Sequence, residues 1–262
     1  MSENSDRLEK ALEITKRAAN MSMSYFLNNP EFDTKADQSP VTIADKATER
    51  VIRDGLEQAF PGESIFGEEF GQTGDGDGGD TWIIDPIDGT RSYITGLPLF
   101  GILLGKLIGG RPELGIIQMP ALSEIYTGAK GMSATCNGSL IKVSDCQFLD
   151  QAKLFINEGD KLALNEPEVF SRLIRAGNLR RLGADCYPHA LVARGLVDAV
   201  VDYDLKPYDF LPVSAVVEAA GGIMTDWLGA PLSMHSDGRT LTAATPELHG
   251  QLLNLIHSGE IN

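Results

Sequence analysis

The 262-residue chain holds 37 acidic and 22 basic residues, which gives a formal net charge of −15. This balance disfavours binding to nucleic acid through a basic surface, and no apolar run approaches the roughly 18 residues that span a bilayer. The three cysteines are odd in number and lack C-x-x-C spacing, which argues against a disulfide framework or a structural zinc site. Residues 1–10 lack the apolar stretch of a secretory signal. We therefore expect a cytoplasmic protein with reduced, buried thiols.

The first half of the chain predicts two helices followed by strands. Apolar residues at helical spacing indicate a helix over residues 6–27, and Thr42 is a candidate cap for a second helix that ends at Phe60. The glycine- and aspartate-rich residues 71–80 indicate a flexible loop, because its Asp-Gly repeats lack the glutamate of a calcium-binding loop. Strands are expected at residues 81–84, 99–108, 113–119, 124–129 and 139–143.

The second half alternates strands and helices, a pattern that predicts layered α/β packing. No linker divides the chain cleanly, but a soft boundary near residues 144–152 indicates one unit with two subdomains, residues 1–147 and 148–262. Strands are expected at residues 153–157, 180–182, 199–203 and 223–226, and helices at residues 167–176, 186–194, 210–220 and 246–258.

The most informative segment runs from Asp85 to Thr90. A short apolar strand delivers Asp85 to its C-terminal end, where Pro86 is expected to end the strand. Asp88 follows on a turn that Gly89 makes tight, and Thr90 is a candidate N-cap of the next helical turn. Two carboxylates, a carbonyl and a hydroxyl would then converge, and such hard oxygen ligands suit Mg²⁺.

Exposed amides at the start of that helical turn would suit a phosphate. Two metals close together can hold both the attacking water and the leaving oxygen of a phosphoryl transfer. The ordinary alternative is a strand followed by an Asx turn.

Carboxylates also stand at the ends of elements in three other places, namely Asp45, the pair Glu68-Glu69, and Asp209. Taken alone, the pair is typical of a solvated surface and Asp209 of a helix start. Their combination with residues 85–90 favours a metal site.

At four blocks, in the family's order and at its spacing, the chain resembles the inositol monophosphatase family. The resemblance implies a layered α-β-α-β-α sandwich, hydrolysis of a small phosphorylated metabolite with two or three Mg²⁺ ions per active site, and commonly a homodimer. The blocks are Ser39-Pro40-Val41-Thr42-Ile43-Ala44-Asp45, Phe66-Gly67-Glu68-Glu69, the run from Trp82 to Thr90, and Lys206-Pro207-Tyr208-Asp209 with Glu218-Ala219-Ala220-Gly221-Gly222.

The resemblance also implies roles for particular residues. Glu68 and Thr90 would orient and activate a water, and Asp45 would support that water or a further metal. The amides of Gly89 and Thr90 would hold the phosphate. The implied metal ligands are Glu68, Asp85, the carbonyl of Ile87, Asp88 and Asp209.

Beyond Thr90, the run Arg91-Ser92-Tyr93-Ile94-Thr95-Gly96-Leu97-Pro98 is similar to the histidinol-phosphatase branch of the family. Residues 183–187 resemble that branch too, as does Tyr208, where inositol enzymes usually place a tryptophan. This resemblance implies that a metal-activated water hydrolyses L-histidinol phosphate to L-histidinol and phosphate, a step of histidine biosynthesis. The alternatives are an inositol-1-monophosphatase, a broad-specificity sugar-phosphate phosphatase, and an inactive family member that only binds metal.

A cationic substrate such as histidinol phosphate favours carboxylates near its leaving group. Asp185 and Asp202 are the candidates, and Arg91 is a candidate for steering or holding the phosphate. Asp185 could instead cap the following helix, and Arg91 could form a structural ion pair. We expect His189 and His235 to be structural or surface residues away from the aspartate site.

Overall fold

Two β-sheets lie between three layers of helix in the computed structural model, which describes residues 3–28, 32–34, 40–74 and 80–258. A short antiparallel hairpin of β1 (Phe32–Thr34) and β2 (Pro40–Thr42) stands apart from both sheets. The first sheet has eight strands in the order β10-β9-β8-β7-β6-β5-β3-β4. Its strands are β3 (Ser64–Gly67), β4 (Gly71–Thr73), β5 (Thr81–Asp88), β6 (Gly101–Ile108), β7 (Arg111–Met119), β8 (Glu124–Ala129), β9 (Thr135–Cys136) and β10 (Ser139–Leu140).

Pairing in the first sheet is antiparallel except between β3 and β5, which run parallel. The second sheet has five strands in the order β12-β11-β13-β15-β14, with parallel pairs on either side of β11. Its strands are β11 (Lys153–Ile156), β12 (Leu179–Leu182), β13 (Ala199–Asp202), β14 (Ile223–Asp226) and β15 (Thr240–Ala243).

Each sheet buries apolar side chains on both faces, so helices must cover four faces in all. Helices α1 and α2 cover the outer face of the first sheet, α6 and α7 fill the space between the sheets, and α5 and α8 cover the outer face of the second sheet. This is the α-β-α-β-α sandwich that the resemblance implied. The helices are α1 (Glu3–Tyr25), α2 (Ile43–Ala59), α3 (Thr90–Ile94), α4 (Gly159–Asn165), α5 (Pro167–Leu173), α6 (Tyr187–Ala193), α7 (Pro207–Ala219) and α8 (Pro246–His257).

A row of glycines lets α7 lie close against the first sheet. Gly105, Gly115 and Gly128 are cross-strand neighbours on β6, β7 and β8. A Cβ on Gly115 would overlap the carbonyl oxygen of Pro212 in α7, and one on Gly128 would lie 2.6 Å from the Cα of Val216. Larger residues here would push α7 away from the sheet, and with it the Asp209 of its first turn.

Several local predictions were wrong. Pro86 does not end β5, because the strand continues to Asp88 through an irregularity in its pairing with β6. Part of the predicted loop at residues 71–80 forms β4, and its residues 75–79 lie outside the described part of the chain. Helix α4 and strand β15 were not predicted. The three cysteines are free, but Cys146 is only half-buried.

The first sheet is built from residues before the predicted subdomain boundary, and the second from residues after it. Helix α7 nevertheless crosses over, since it belongs to the second half of the sequence and packs on the first sheet. Within the described residues, no helix is long and apolar enough to cross a membrane.

Candidate active site

A cleft of about 170 Å³ opens where the two halves of the chain meet. The ends of β3 and β5, the start of α3 and the first turn of α7 form one side, and loops of the second sheet form the other. The cleft is lined by Pro40, Glu68, Asp85, Ile87, Asp88, Gly89, Thr90, Arg91, Asn157, Glu158, Lys161, Gly183, Asp185, Cys186, His189, Asp202, Asp204, Leu205 and Asp209.

Three carboxylates converge in this cleft, because oxygens of Asp85, Asp88 and Asp209 all lie within 4.8 Å of one another. Each is oriented by a backbone amide. Ile87 N donates to Asp85 Oδ1 at 3.0 Å, and Cys186 N donates to Asp88 Oδ2 at 2.6 Å. Asp209 lies in the first turn of α7, where its Oδ2 accepts from the backbone N of Lys206 at 2.6 Å. One oxygen of each carboxylate is thus fixed by the backbone.

Crowding and burial make these carboxylates hard to ionise. Burial raises the pKa of Asp85 well above its usual range, and the charges of Glu68, Asp88 and Asp209 raise it further. Burial and the charges of Asp185 and Asp209 do the same to the pKa of Asp88. The pKa of Asp209 rises to about 6, mainly through burial.

A divalent cation fits this donor set. In the described part of the chain, none of the three carboxylates forms a salt bridge with a lysine or arginine, so no described side chain pairs with their charge. Hard oxygen atoms at this spacing are the ligands that Mg²⁺ and similar cations take. The Asp85, Asp88 and Asp209 group could therefore hold a metal ion.

Glu68 approaches this group from the neighbouring strand. It follows β3 directly, and its backbone N donates to the carbonyl of Ile84 at 3.1 Å, which continues the parallel pairing of β3 with β5. Glu68 therefore stands beside Asp85, whose pKa its charge raises.

Thr90 lies between the carbonyl of Ile87 and the side chain of Asp45. Its Oγ1 is 3.2 Å from Ile87 O and 3.4 Å from Asp45 Oδ1. Asp45 is itself fixed in the capping box of α2, where its Oδ2 accepts from the N and Oγ1 of Thr42 at 2.8 and 2.6 Å. Thr90 is the first residue of α3 and not its N-cap. Gly89 takes that position with φ +83°, a conformation that glycine adopts without strain.

Asp185 reaches the cleft on a strained loop. Gly183, Ala184 and Asp185 all have positive φ, at 74°, 113° and 52°. The side chain of Asp185 accepts from Ser92 Oγ at 2.6 Å, and burial raises its pKa to about 6. A Cβ on Gly89 would lie 2.8 Å from the carboxyl carbon of Asp185, so glycine is required there for space as well. The alternative that Asp185 caps α6 is wrong, because Cys186 occupies the N-cap position.

Asp202 is buried at the end of β13 with donors on both oxygens. Its Oδ2 accepts from Asn157 Nδ2 at 2.6 Å and lies 3.2 Å from His189 Nε2, while its Oδ1 accepts from Tyr203 N at 2.8 Å. A carboxylate only accepts, so Nε2 of His189 carries a proton, while Nδ1 lies 2.8 Å from Thr242 Oγ1. His189 is thus a buried residue that holds Asp202 and also lines the cleft, whereas His235 is exposed.

Arg91 stands at the rim of the cleft with 56% of its side chain exposed. Its guanidinium is 3.6 Å from Glu158 and 3.8 Å from Asp160, which are loose ion pairs. Lys161 holds Glu158 more tightly at 2.8 Å and also reaches Asp204 at 2.9 Å. Glu158 and Asp204, two acidic side chains of the second half, thus already form ion pairs with Lys161.

Sequence reasoning missed Asn157, Lys161, Ser92 and the position of His189. A signal existed for two of them. His189 follows Asp185 by four residues, about one helical turn, and Asn157 ends a predicted strand at the sheet edge where ligands bind. Lys161 lies on α4, which was not predicted.

Comparison with known proteins gives a consistent result. The sequence model described as the inositol monophosphatase family matches residues 3–260. A histidinol-phosphatase of Chlorobaculum parvum is 38% identical over 97% of this chain and 97% of the relative. A fructose-1,6-bisphosphatase/inositol-1-monophosphatase of Aquifex aeolicus is 30% identical, with 95% and 96% covered. The solved structure of an inositol monophosphatase from Zymomonas mobilis is 35% identical and superimposes with a TM-score of 0.88, covering 98% of this chain and 100% of that one.

The crowding of carboxylates predicts an effect of Asp209→Asn on stability. The folded-state pKa of about 6 exceeds the value of about 3.9 in an unfolded chain, so ionised Asp209 destabilises the metal-free fold, increasingly from pH 4 to pH 6 and fully above it. We expect the substitution to raise the Tm of the metal-free protein at pH 8 by a few degrees, and to abolish the further rise that Mg²⁺ gives the unsubstituted protein.

The control is Asp237→Asn, because Arg239 lowers the pKa of that carboxyl and its replacement relieves no repulsion. Differential scanning calorimetry with EDTA and with Mg²⁺ measures both effects. A lower Tm for metal-free Asp209→Asn at pH 8 would contradict the electrostatic account.

Proposed function

This chain belongs to the inositol monophosphatase family, and we propose that it is a Mg²⁺-dependent phosphatase that hydrolyses L-histidinol phosphate to L-histidinol and phosphate. The observation that carries the proposal is the convergence of Asp85, Asp88 and Asp209 within 4.8 Å in a cleft that Asp185 and Asp202 also line. Metal ligands and carboxylates suited to a cationic leaving group thus share one space.

The residues that would hold the metal ions are Glu68, Asp85, the carbonyl of Ile87, Asp88 and Asp209. When bound, Mg²⁺ supplies positive charge that stabilises the phosphoryl group and acidifies a water. Two or three ions are consistent with the number of oxygen donors, because Mg²⁺ keeps several waters and needs few protein ligands.

Thr90 and Asp45 are placed to orient the attacking water. A hydroxyl that donates to the carboxylate of Asp45 still has lone pairs with which to accept from a water. Burial raises the pKa of Asp45, which suits it to receive a proton through Thr90. Glu68, on the other side of Asp85, is the second group that would accept from that water.

The phosphate would lie at the start of α3, against the amides of Gly89 and Thr90. Glycine at position 89 leaves the backbone open to close approach, since it carries no side chain. Arg91 follows at the rim, where its exposed guanidinium can meet an incoming phosphate at the cost of only loose ion pairs with Glu158 and Asp160.

We propose histidinol phosphate as the substrate because of a relative's name and because of the carboxylates in the cleft. The 38% identical relative from Chlorobaculum parvum is named histidinol-phosphatase. We place Asp185 and Asp202 on the leaving-group side, and among the described residues neither has a lysine or arginine within salt-bridge distance, whereas Lys161 holds Glu158 and Asp204. Asp202 is buried and bonded to Asn157 and His189, so an ammonium group would meet Asp185 directly and gain from the charge of Asp202 at longer range. A neutral inositol would gain little from either carboxylate.

An inositol-1-monophosphatase or a broad sugar-phosphate phosphatase is the second candidate. The names of the Aquifex aeolicus and Zymomonas mobilis relatives favour it. An inactive family member is not favoured, because every expected ligand position carries an oxygen donor.

We also propose a homodimer. Strand β12 is the outer strand of the second sheet, and all four of its residues are exposed, with Leu179 and Leu182 at 50% and 59%. Two of its four residues are arginines, but the exposed leucines and the unpaired backbone edge form a surface that a second copy can cover. Light scattering should give twice the 28.2 kDa of one chain, and Leu179→Lys should reduce that mass. A monomer at micromolar concentration would reject the dimer.

Asp88→Asn tests the metal-dependent chemistry. It removes one ligand charge while keeping an acceptor for Cys186 N, so the fold should persist. We expect phosphate release by the unsubstituted protein to require Mg²⁺, and the variant to lose about 100-fold or more in kcat at saturating Mg²⁺. Asp237→Asn, at an exposed carboxylate that does not line the cleft, is the matched control. Near-normal kcat for Asp88→Asn would overturn the metal-site assignment.

Asp185→Asn tests the substrate. The amide keeps an acceptor for Ser92 Oγ but removes the charge. We expect kcat/KM for histidinol phosphate to exceed that for inositol 1-phosphate by about tenfold or more, which is about 1.4 kcal/mol. The variant should lose most of this preference by a fall in the histidinol phosphate value alone. A tenfold preference for inositol 1-phosphate in the unsubstituted protein would establish the second candidate.

A further inference from the structure

Behind the turn that follows Glu68 lies a buried ion pair on α2. The Nε of Arg53 donates to Oε1 of Glu49 at 2.7 Å, one helical turn away. The side chain of Glu49 is fully buried, and that of Arg53 is 9% exposed. No step of the proposed reaction uses either residue.

Both members of this pair are bonded to the turn. Glu49 Oε2 accepts from the backbone N of Glu69 at 2.7 Å, and Oε1 accepts from the N of Phe70 at 3.3 Å. Arg53 donates to the carbonyl of Gly71 at 2.5 Å and to Thr73 Oγ1 at 3.1 Å. The pair thus binds the backbone immediately after Glu68.

We propose that Glu49 and Arg53 are positioning residues that hold Glu68 in the metal site. This inference rests on the proposed metal-dependent function. On its N-terminal side Glu68 is fixed by the bond from its own backbone N to the carbonyl of Ile84. On its C-terminal side Glu49 and Arg53 bind the backbone of the turn, and the pairing of Gly71 in β4 with Gly67 in β3 closes it.

Glu68 needs this restraint because of its charge. Before a metal binds, its carboxylate stands beside that of Asp85, and like charges repel. If the turn were free to move, charge repulsion would favour conformations with Glu68 farther from Asp85. Backbone conformational entropy would favour them too, because ordering the turn costs about 1 kcal/mol per residue. The hydrogen bonds to Glu49 and Arg53 oppose this movement of the turn, so Glu68 is already positioned before the cation binds.

The composition of the pair fits this role better than a role in packing alone. An apolar pair of similar volume would fill the same space, often with equal stability. Only a carboxylate offers two acceptors for the adjacent N–H groups of Glu69 and Phe70, and only an arginine can at once bond that carboxylate and Gly71. Strand β3 also leaves space for the pair, because a Cβ on Gly67 would overlap the carboxylate of Glu49.

The chain offers a matched control at the other end of β3. Glu63 precedes that strand and accepts from the buried Lys106 at 2.7 Å, from Trp82 Nε1 at 2.8 Å and from Arg7 at 2.7 Å. Like Glu49, it joins a buried cation to neighbouring elements. Its contacts lie at the end of β3 opposite to Glu68.

The experiment compares Glu49→Gln with Glu63→Gln in the full-length, metal-stripped protein. In Glu49→Gln, one acceptor oxygen becomes an NH2 donor. That donor then faces another donor, either Arg53 Nε or the backbone N of Glu69. Isothermal titration of Mg²⁺ should show its Kd raised by about tenfold or more, the usual effect of losing a group that orients a ligand. The Mg²⁺ concentration for half-maximal phosphate release should rise by the same factor, with kcat at saturating Mg²⁺ within about twofold of normal.

Glu63→Gln should lower the Tm and leave the Kd for Mg²⁺ within about twofold of normal. A Kd for Glu49→Gln that is also within about twofold, despite a lowered Tm, overturns the inference and makes the pair structural only. If Glu49→Gln does not fold, Arg53→Lys and Gly67→Ala replace it. Each should weaken Mg²⁺ binding by about threefold or more, and unchanged binding in both overturns the inference.

The calorimetric readout separates this inference from the proposed function. A protein that binds Mg²⁺ but releases no phosphate rejects the proposed function, and the Kd values of the variants still decide the role of Glu49. Phosphate release with an unchanged Kd for Glu49→Gln rejects the inference alone.

Discussion

Mutual repulsion among carboxylates is the constraint around which this molecule is built. Oxygens of Asp85, Asp88 and Asp209 lie within 4.8 Å of one another, and burial and neighbouring charge raise the pKa of each. The fold must hold together groups that separate when they ionise. It does so with backbone amides from three places, at Ile87, Cys186 and Lys206, and with a helix that a row of glycines lets close onto the sheet. The repulsion lowers the free energy of unfolding of the metal-free protein, and a cation bound among these carboxylates would relieve it, which would favour binding.

Sequence reasoning works for this chain where the physics is local. The cap of α2 at Thr42, the hairpin of β6 and β7, and the layered fold class follow from patterns within a few residues, and all are confirmed. It fails at Pro86, because the irregular pairing of β5 with β6 spares the backbone bond that proline cannot make. That depends on a neighbouring strand, which a local pattern does not contain.

The contents of the cleft show the same division. The candidate metal site was evident from residues 85–90 together with the resemblance. The bonds that orient it were not, because they join residues far apart in sequence, as from Cys186 to Asp88 or from Ser92 to Asp185. The place of His189 in the cleft was missed for this reason. Its bond to Asp202 arises only when α6 packs beside β13, and no periodicity predicts that contact.

The two sides of the cleft are made by different halves of the chain, and they meet where residues 88–92 contact Asp185 and Cys186. Gly89 lies against Asp185, where a Cβ would collide with the carboxylate. Six of the seven proposed groups that hold metal or orient water come from the first half, and Asp209 on α7 is the seventh. The second half supplies the cleft residues that we propose lie on the leaving-group side, with Asp202 at the end of β13 and Asp185 on the loop before α6. Among the described residues, neither carboxylate has a lysine or arginine within salt-bridge distance, so substitutions at these two positions would change the charge offered to a leaving group without replacing a proposed first-half ligand.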